Sequence, residues 1–248
     1  MNTPRFSFRR VLFVLWLALF PLFFLFWYYP VITLRGRVGT AAVLISIAVG
    51  ALVVAWPRKR WRWTFIVLYL GFAAIILLPA HFPDDRSALR NAYLEALKSY
   101  TGRPYVWGGE GWFGIDCSGL VRKGMEDALA RQGIVNFNPA LLREANSLYW
   151  HDTTASEMGH SYNGRMALIM QCPSLNTLDD SSLQPGDLAV TQSGVHVLAY
   201  LGNKTWIAAD PIEKKVTIFT VPEKTNDFFS MPMTIVRWNI LTDVPAKN

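Results

Sequence analysis

The chain has 248 residues, 52% hydrophobic and 17% charged, where an average soluble domain carries about 25% charged residues. This composition excludes a disordered chain, and a count of two cysteines excludes a disulfide-dense mini-protein. The net charge of +6 is unevenly placed: Met1–Pro83 holds nine basic residues and no acidic one, while the remainder holds 15 basic and all 18 acidic residues, a net of −3. The basic residues punctuate apolar runs instead of clustering on a folded face, so no nucleic-acid partner is expected.

Three runs lack charge: Val11–Leu34, Val38–Pro57 and Trp63–Pro83, of 24, 20 and 21 residues. About 20 apolar residues span a bilayer as a helix, at about 1.5 Å of rise each. Three transmembrane helices are therefore predicted, with the lipid bilayer as their partner. Trp27, Tyr28 and Tyr29, then Trp56, Trp61 and Trp63, suit the interface. Gly39, Gly50 and Ala51 offer small surfaces for helix packing. A cleaved signal peptide is the alternative for the first run. The run is long for that role, and it ends in Trp-Tyr-Tyr-Pro without a small-x-small cleavage site.

Positive charge stays on the cytoplasmic side. Arg5, Arg9 and Arg10, and the gap with Arg58, Lys59, Arg60 and Arg62, are then inside, and the gap with Arg35 and Arg37 is outside. Three crossings place everything after Pro83 outside. The expected organisation is a membrane region, 1–83, and an extracytoplasmic domain, 84–248.

In that domain Ser87–Tyr100 has helical spacing of Leu89, Tyr93, Leu94 and Leu97. A glycine-rich loop runs to Asp116, and a helix is predicted from Cys117 to about Arg131, with another over Asn138–Trp150. The period then shortens. Leu188–Thr191, Val195–Leu201, Trp206–Ala209, Lys215–Val221 and Met233–Trp238 read as strands separated by turn signals. Helices first and strands afterwards predict an α+β fold with an antiparallel sheet.

Cys117 stands where the glycine loop turns into a helix. Helix N-terminal N–H groups and a nearby imidazolium lower a thiol pKa, and free N–H groups can receive an oxyanion. Gly119 would let a substrate approach closely. Cys172, in Met-Gln-Cys-Pro, has no such setting and reads as structural; pairing with Cys117 would silence the nucleophile. Of His81, His151, His160 and His196, only His196 opens an apolar strand. Asp210 closes the next strand and reads equally as an orienter of the histidine or an Asp-Pro turn residue. No Cys/His cluster has zinc spacing, so neither metal nor cofactor is expected.

Pro104-Tyr105-Val-Trp107-Gly-Gly, Asp116-Cys117-Ser118-Gly119-Leu-Val, Leu183-Gln-Pro-Gly-Asp-Leu188 and Val195-His196-Val197 together resemble the NlpC/P60 family of cysteine peptidases. The resemblance covers roughly Ser87–Pro222. It implies a papain-like α+β fold and cleavage of cell-wall stem peptides, often between D-glutamate and diaminopimelate. It implies Cys117 as nucleophile and His196 as base, with Tyr105 beside the thiol and Asp116 and Ser118 holding the substrate's free amine or nearby polar groups. Asp116 equally suits a helix cap, and Tyr105 and Trp107 equally suit a core. Glu110, Trp107 and Trp112 are expected to shape the substrate groove.

The chain departs from the family at Ala208, where a third polar residue is common; Asp210, two residues on, is the substitute. The stretch Gln132–Ser182 is long for the family and suggests a lid or specificity wall. The expected protein is a membrane-anchored peptidoglycan hydrolase of the bacterial cytoplasmic membrane. The alternatives are a thiol amidase or acyltransferase on a lipid-linked substrate, and a non-catalytic stem-peptide-binding or scaffold protein.

Overall fold

The computed structural model describes residues 8–29, 31, 33–83 and 85–242. Arg5, the domain limit at Asp84 and the tail after Thr242 lie outside the described residues. The chain divides into two compact units, Met1–Leu78 and Pro79–Asn248.

The first unit is helical: α1 (Phe8–Tyr28), α2 (Leu34–Ala55) and α3 (Lys59–Leu77). All three are long and apolar enough to cross a membrane. Their ends differ from the ends of the uncharged runs, because backbone chemistry sets them. Helix α1 stops at Tyr28, two residues before Pro30, which cannot continue a hydrogen-bonded turn. Thr33 caps α2 by accepting the Gly36 N–H at 3.3 Å. Arg35 and Arg37 therefore open α2 instead of forming a gap. Lys59, Arg60 and Arg62 likewise open α3. Polar side-chain tips find backbone carbonyls: Trp16 donates to Ile47 at 2.9 Å and Tyr69 to Ala48 at 3.0 Å. Gly50 makes room for Trp16, since a Cβ there would lie 2.2 Å from the indole.

The second unit is α+β. Its helices are α4 (Ser87–Ser99), α5 (Cys117–Val135), α6 (Pro139–Trp150) and α7 (Ala155–Gly159). A hairpin of β1 (Glu110–Gly111) and β2 (Gly114–Ile115) precedes α5. The main sheet holds β3 (Met166–Cys172), β4 (Leu188–Thr191), β5 (Val197–Gly202), β6 (Thr205–Asp210), β7 (Lys215–Thr220) and β8 (Met233–Trp238). Its order is β3-β8-β4-β5-β6-β7, antiparallel throughout.

Helix starts follow from short polar side chains. Asn138 accepts the Ala140 N–H at 2.9 Å with Pro139 at the first helical position, and Thr154 and Glu157 form a capping box. Strands β5 and β6 read as continuous apolar runs because both of their faces are covered. Val197, Ala199, Ile207 and Ala209 join the core with α4 and α5. Leu198, Tyr200, Trp206 and Ala208 join a second core with Phe219 and Phe229.

Gln132–Ser182 is built of regular elements. It supplies the end of α5, then α6, α7 and the edge strand β3, which pairs with β8. The β3 run, Met-Ala-Leu-Ile-Met-Gln-Cys, lacks a clean alternation, which is why pattern alone misses it.

Candidate active site

The loop before α5 is tied down from β7. Tyr105 donates its N–H to the Lys214 carbonyl at 2.9 Å, and Val216 donates to the Arg103 carbonyl at 2.8 Å. Asp116 then ends the loop and caps α5. One carboxylate oxygen accepts the Gly119 N–H at 2.6 Å and the Ser118 hydroxyl at 3.0 Å; the other accepts the Gly108 N–H at 2.9 Å. Cys117 is thereby the first helical residue. The N–H groups of Val197, Ser118 and Cys117 face the sulfur and favour a thiolate. A Cβ on Gly119 would meet the Gly109 carbonyl at 2.3 Å. Its missing side chain therefore serves packing of helix against loop, rather than the substrate access expected above.

His196 closes a turn and leads directly into β5. The Thr191 hydroxyl accepts the N–H groups of Val195 at 3.1 Å and His196 at 3.0 Å. The imidazole is 1% exposed and stacks on Phe228, with ring centroids 4.1 Å apart at 21°. Its Nε2 lies 3.8 Å from Asp210 Oδ2. Asp210 is fully buried at the end of β6, and its Oδ1 accepts the N–H groups of Ile212 at 2.7 Å and Glu213 at 2.9 Å. One carboxylate thus does both things its position allows: Oδ1 builds the Asp-Pro turn, and Oδ2 faces the imidazole. Tyr105 lies near Cys117, Asp116 and Asp210; burial, then the charge of these neighbours, pushes its phenol up to about 12. Cys117, His196, Asp210 and Tyr105 therefore meet in one corner. Nε2 is the imidazole nitrogen that faces Asp210.

Burial and the local N–H groups pull the thiol in opposite directions. Burial pushes the Cys117 thiol up, with Asp116 adding to it, and outweighs the three N–H groups. Burial also pushes the His196 imidazole below its ordinary 6.5, against the opposing pull of Asp210. Burial thus disfavours both ions at this corner, the thiolate and the imidazolium alike.

The groove residues fall into two groups. Trp107 is 79% exposed, so it belongs to no core and is available to a ligand. Tyr105 is half-buried. Asp116 and Ser118, by contrast, are engaged in the α5 cap. Trp112 packs under the Arg103 guanidinium, 3.3 Å from the ring centroid. Glu110 lines no groove, since its buried carboxylate is paired with Arg122, which is 1% exposed and also donates to the Leu148 carbonyl at 2.8 Å. Removing Glu110 leaves the buried Arg122 with Glu126 alone, at 3.8 Å. Glu110→Gln is therefore expected to cost about 3 kcal/mol or more of stability, measured as a lowered melting temperature, with KM unchanged in the folded fraction.

His151 and His160 are the C-terminal caps of α6 and α7, each with Nδ1 2.7 Å from a carbonyl of its own helix, Ser147 and Ser156 respectively. Both cysteines are free; Cys172 is buried in the second core, on the edge strand β3. Two residues at the site carried no signal in the sequence. Asn226 donates to Asp210 Oδ2 at 2.7 Å, and Phe228 covers the imidazole. They lie beyond β7, in a segment whose spacing from Cys117 and His196 follows no motif.

The model of the NlpC/P60 family matches residues 102–234. No curated protein matches the chain. Among solved structures, NlpC1 from Trichomonas vaginalis is 18% identical over 63% of this chain and 46% of its own, with a TM-score of 0.41. An NlpC/P60 family protein from Bacillus cereus is 17% identical over 64% of this chain and 41% of its own, with a TM-score of 0.39. The peptidoglycan hydrolase RipB from Mycobacterium tuberculosis is 21% identical over 68% of this chain and 77% of its own, with a TM-score of 0.40. The chain spans less than half the length of the first two.

Proposed function

The chain belongs to the NlpC/P60 family, and we propose that it is a membrane-anchored cysteine endopeptidase that hydrolyses amide bonds in peptidoglycan stem peptides. The observation that carries this reading is the convergence of the thiol, the imidazole and the carboxylate. Cys117 opens α5 with the Val197 N–H at its sulfur, and His196 directly precedes Val197 with Asp210 behind its Nε2.

In this mechanism the neutral imidazole takes the Cys117 proton as the sulfur attacks the amide carbonyl. The tetrahedral oxyanion is received by N–H groups at the start of α5. Asp116 occupies the N–H groups of Gly119 and Leu120, so those of Cys117 and Ser118, which face the sulfur, are the ones left to pass to the oxyanion as the sulfur bonds to carbon. His196 returns its proton to the leaving nitrogen, and the C–N bond breaks. Water, deprotonated by the same imidazole, then hydrolyses the thioester and releases a carboxylate and the thiol. The bond between D-glutamate and diaminopimelate, which the family resemblance implies, is the proposed target. Trp107 and Tyr105 are the proposed substrate contacts.

The three apolar helices support a membrane anchor. The charge at the start of α1 and α3 supports a cytoplasmic N-terminus and an extracytoplasmic second unit, beside the wall. The covalent step is the sharpest test. Full-length protein in detergent micelles is mixed with purified peptidoglycan, quenched in acid and peptide-mapped. A stem-peptide acyl group on the peptide containing Cys117 is expected. Product release with no adduct at Cys117 at any time point would argue against a thioester route.

A further inference from the structure

The oxygen of Asp210 that faces the base has a second neighbour. Oδ2 accepts from Asn226 Nδ2 at 2.7 Å, while His196 Nε2 stands 3.8 Å away. Asn226 is 4% exposed and caps the short 3-10 turn Asp227–Ser230. Its own Oδ1 accepts the Phe228 N–H at 3.1 Å. These two bonds fix which end of the amide is which. A carboxylate can only accept and a backbone N–H can only donate, so nitrogen must face Asp210 and oxygen must face the turn. The same turn carries Phe228, whose ring lies almost parallel on the imidazole. His196 Nε2 is itself buried without a hydrogen bond.

We propose that Asn226 is a positioning residue for the thiol–imidazole pair, acting through Asp210. This rests on the reading of His196 as the base. Oδ1 of Asp210 is held by two backbone N–H groups and Oδ2 by Asn226. The two oxygens turn together about one bond, so Asn226 is the side-chain donor that locks this rotation with Oδ2 towards Nε2. A carboxylate held by three donors keeps one orientation. Its fixed negative charge near Nε2 favours the tautomer with the proton there, so Nδ1 stays an acceptor for the thiol proton. Phe228, seated by the Asn226 cap, fixes the plane of the ring. The other titratable groups at this corner are Cys117 from α5, Asp116 at its cap and Tyr105 from the loop before β1.

The test reads the thiol directly and needs no substrate. Full-length protein in detergent micelles is treated with iodoacetamide, and alkylation of Cys117 is resolved from that of Cys172 by peptide mapping. Asn226→Asp keeps an acceptor for the Phe228 N–H but sets a second carboxyl against Asp210. Asn226→Ser keeps a capping hydroxyl and is too short to reach Asp210. At about pH 7.5 both variants are expected to slow Cys117 alkylation by about 10-fold or more, since misplacing a catalytic group by about 1 Å can cost about 100-fold. The Asn226→Asp deficit relative to the unaltered protein should shrink towards about pH 5, as the paired carboxyls come to share a proton and a donor reappears. The Asn226→Ser deficit should not shrink. His196→Ala separates the two levels. If it slows alkylation while both Asn226 variants match the unaltered protein, the positioning role is wrong and the base reading stands. If it changes nothing, the base reading falls and this inference with it. A deficit in Asn226→Asp that stays constant with pH would mark Asn226 as merely structural and overturn the proposal.

Discussion

His196→Ala is expected to lower kcat/KM on soluble stem peptides by roughly 10²- to 10⁴-fold, the usual contribution of a positioned general base. Burial raises the thiol pKa and lowers that of the imidazole, so in the proposed mechanism the thiolate forms as the imidazole takes the proton. Removing it leaves a thiol that burial holds above its ordinary range. The pH profile carries a second expectation. Burial lowers the His196 pKa, so the base stays neutral, and able to accept a proton, well below pH 6.5. The acid limb of kcat/KM attributable to it should lie below that value, and it should vanish in the variant. The same shift sets a sign for stability. Below 6.5 the unfolded chain takes up a proton that folded His196 refuses, so stability falls as pH drops from 6.5 towards the folded value. An acid limb at or above 6.5 that persists in His196→Ala would assign proton uptake to another group.

Asp210→Ala carries the second large effect, on stability and rate together. The carboxylate is fully buried and accepts from Ile212, Glu213 and Asn226. Alanine would strand the buried Asn226 amide, at roughly 1–3 kcal/mol, and would release the turn N–H groups of the exposed Ile212 and Glu213. A melting temperature lower by several degrees is expected. In the fraction that stays folded, kcat should fall by about 100-fold with little change in KM, because what is lost is the alignment of the imidazole and not a contact to substrate. Asp210→Asn sharpens the comparison. Its Oδ1 can still serve the Ile212–Glu213 turn, yet an amide now faces both Asn226 and His196. Recovery of stability without recovery of rate would separate the turn from the orienting role; recovery of both would leave Asp210 as a turn residue only.

Much of this site is legible in the sequence because its parts are local. The Gly-Gly loop, Asp116 and Cys117 lie within ten residues and must produce a capped helix start. His196 opens an apolar strand bounded by Gln-Ser-Gly. Asp210 is legible as a candidate, and the structure explains why its two readings could not be separated: its two oxygens serve one role each. Errors arose where burial decides. Glu110 looks like a groove residue, because nothing in the sequence near it shows that Arg122, a turn into α5, is waiting in the core. The N–H groups around the thiol are local and legible, whereas the burial that opposes them is a property of the whole fold. Asn226 and Phe228 reach the site from beyond β7, through long-range pairing that no spacing encodes. In the fold, capped helices and the strands between turns were readable, whereas β3 was not, since its apolar run alternates poorly and its identity comes from pairing with β8. The uncharged runs marked the three apolar helices, but Pro30 and Thr33 moved their ends.

The central claim is that Cys117 cuts amide bonds within wall stem peptides. The direct measurement is digestion of purified peptidoglycan by the full-length protein in detergent micelles, beside its Cys117→Ala variant, with soluble products identified by mass spectrometry. The account predicts fragments with a newly freed amine inside the stem peptide, produced by the unaltered protein and absent with a folded variant. The same fragments from both proteins, or none from either, would contradict it.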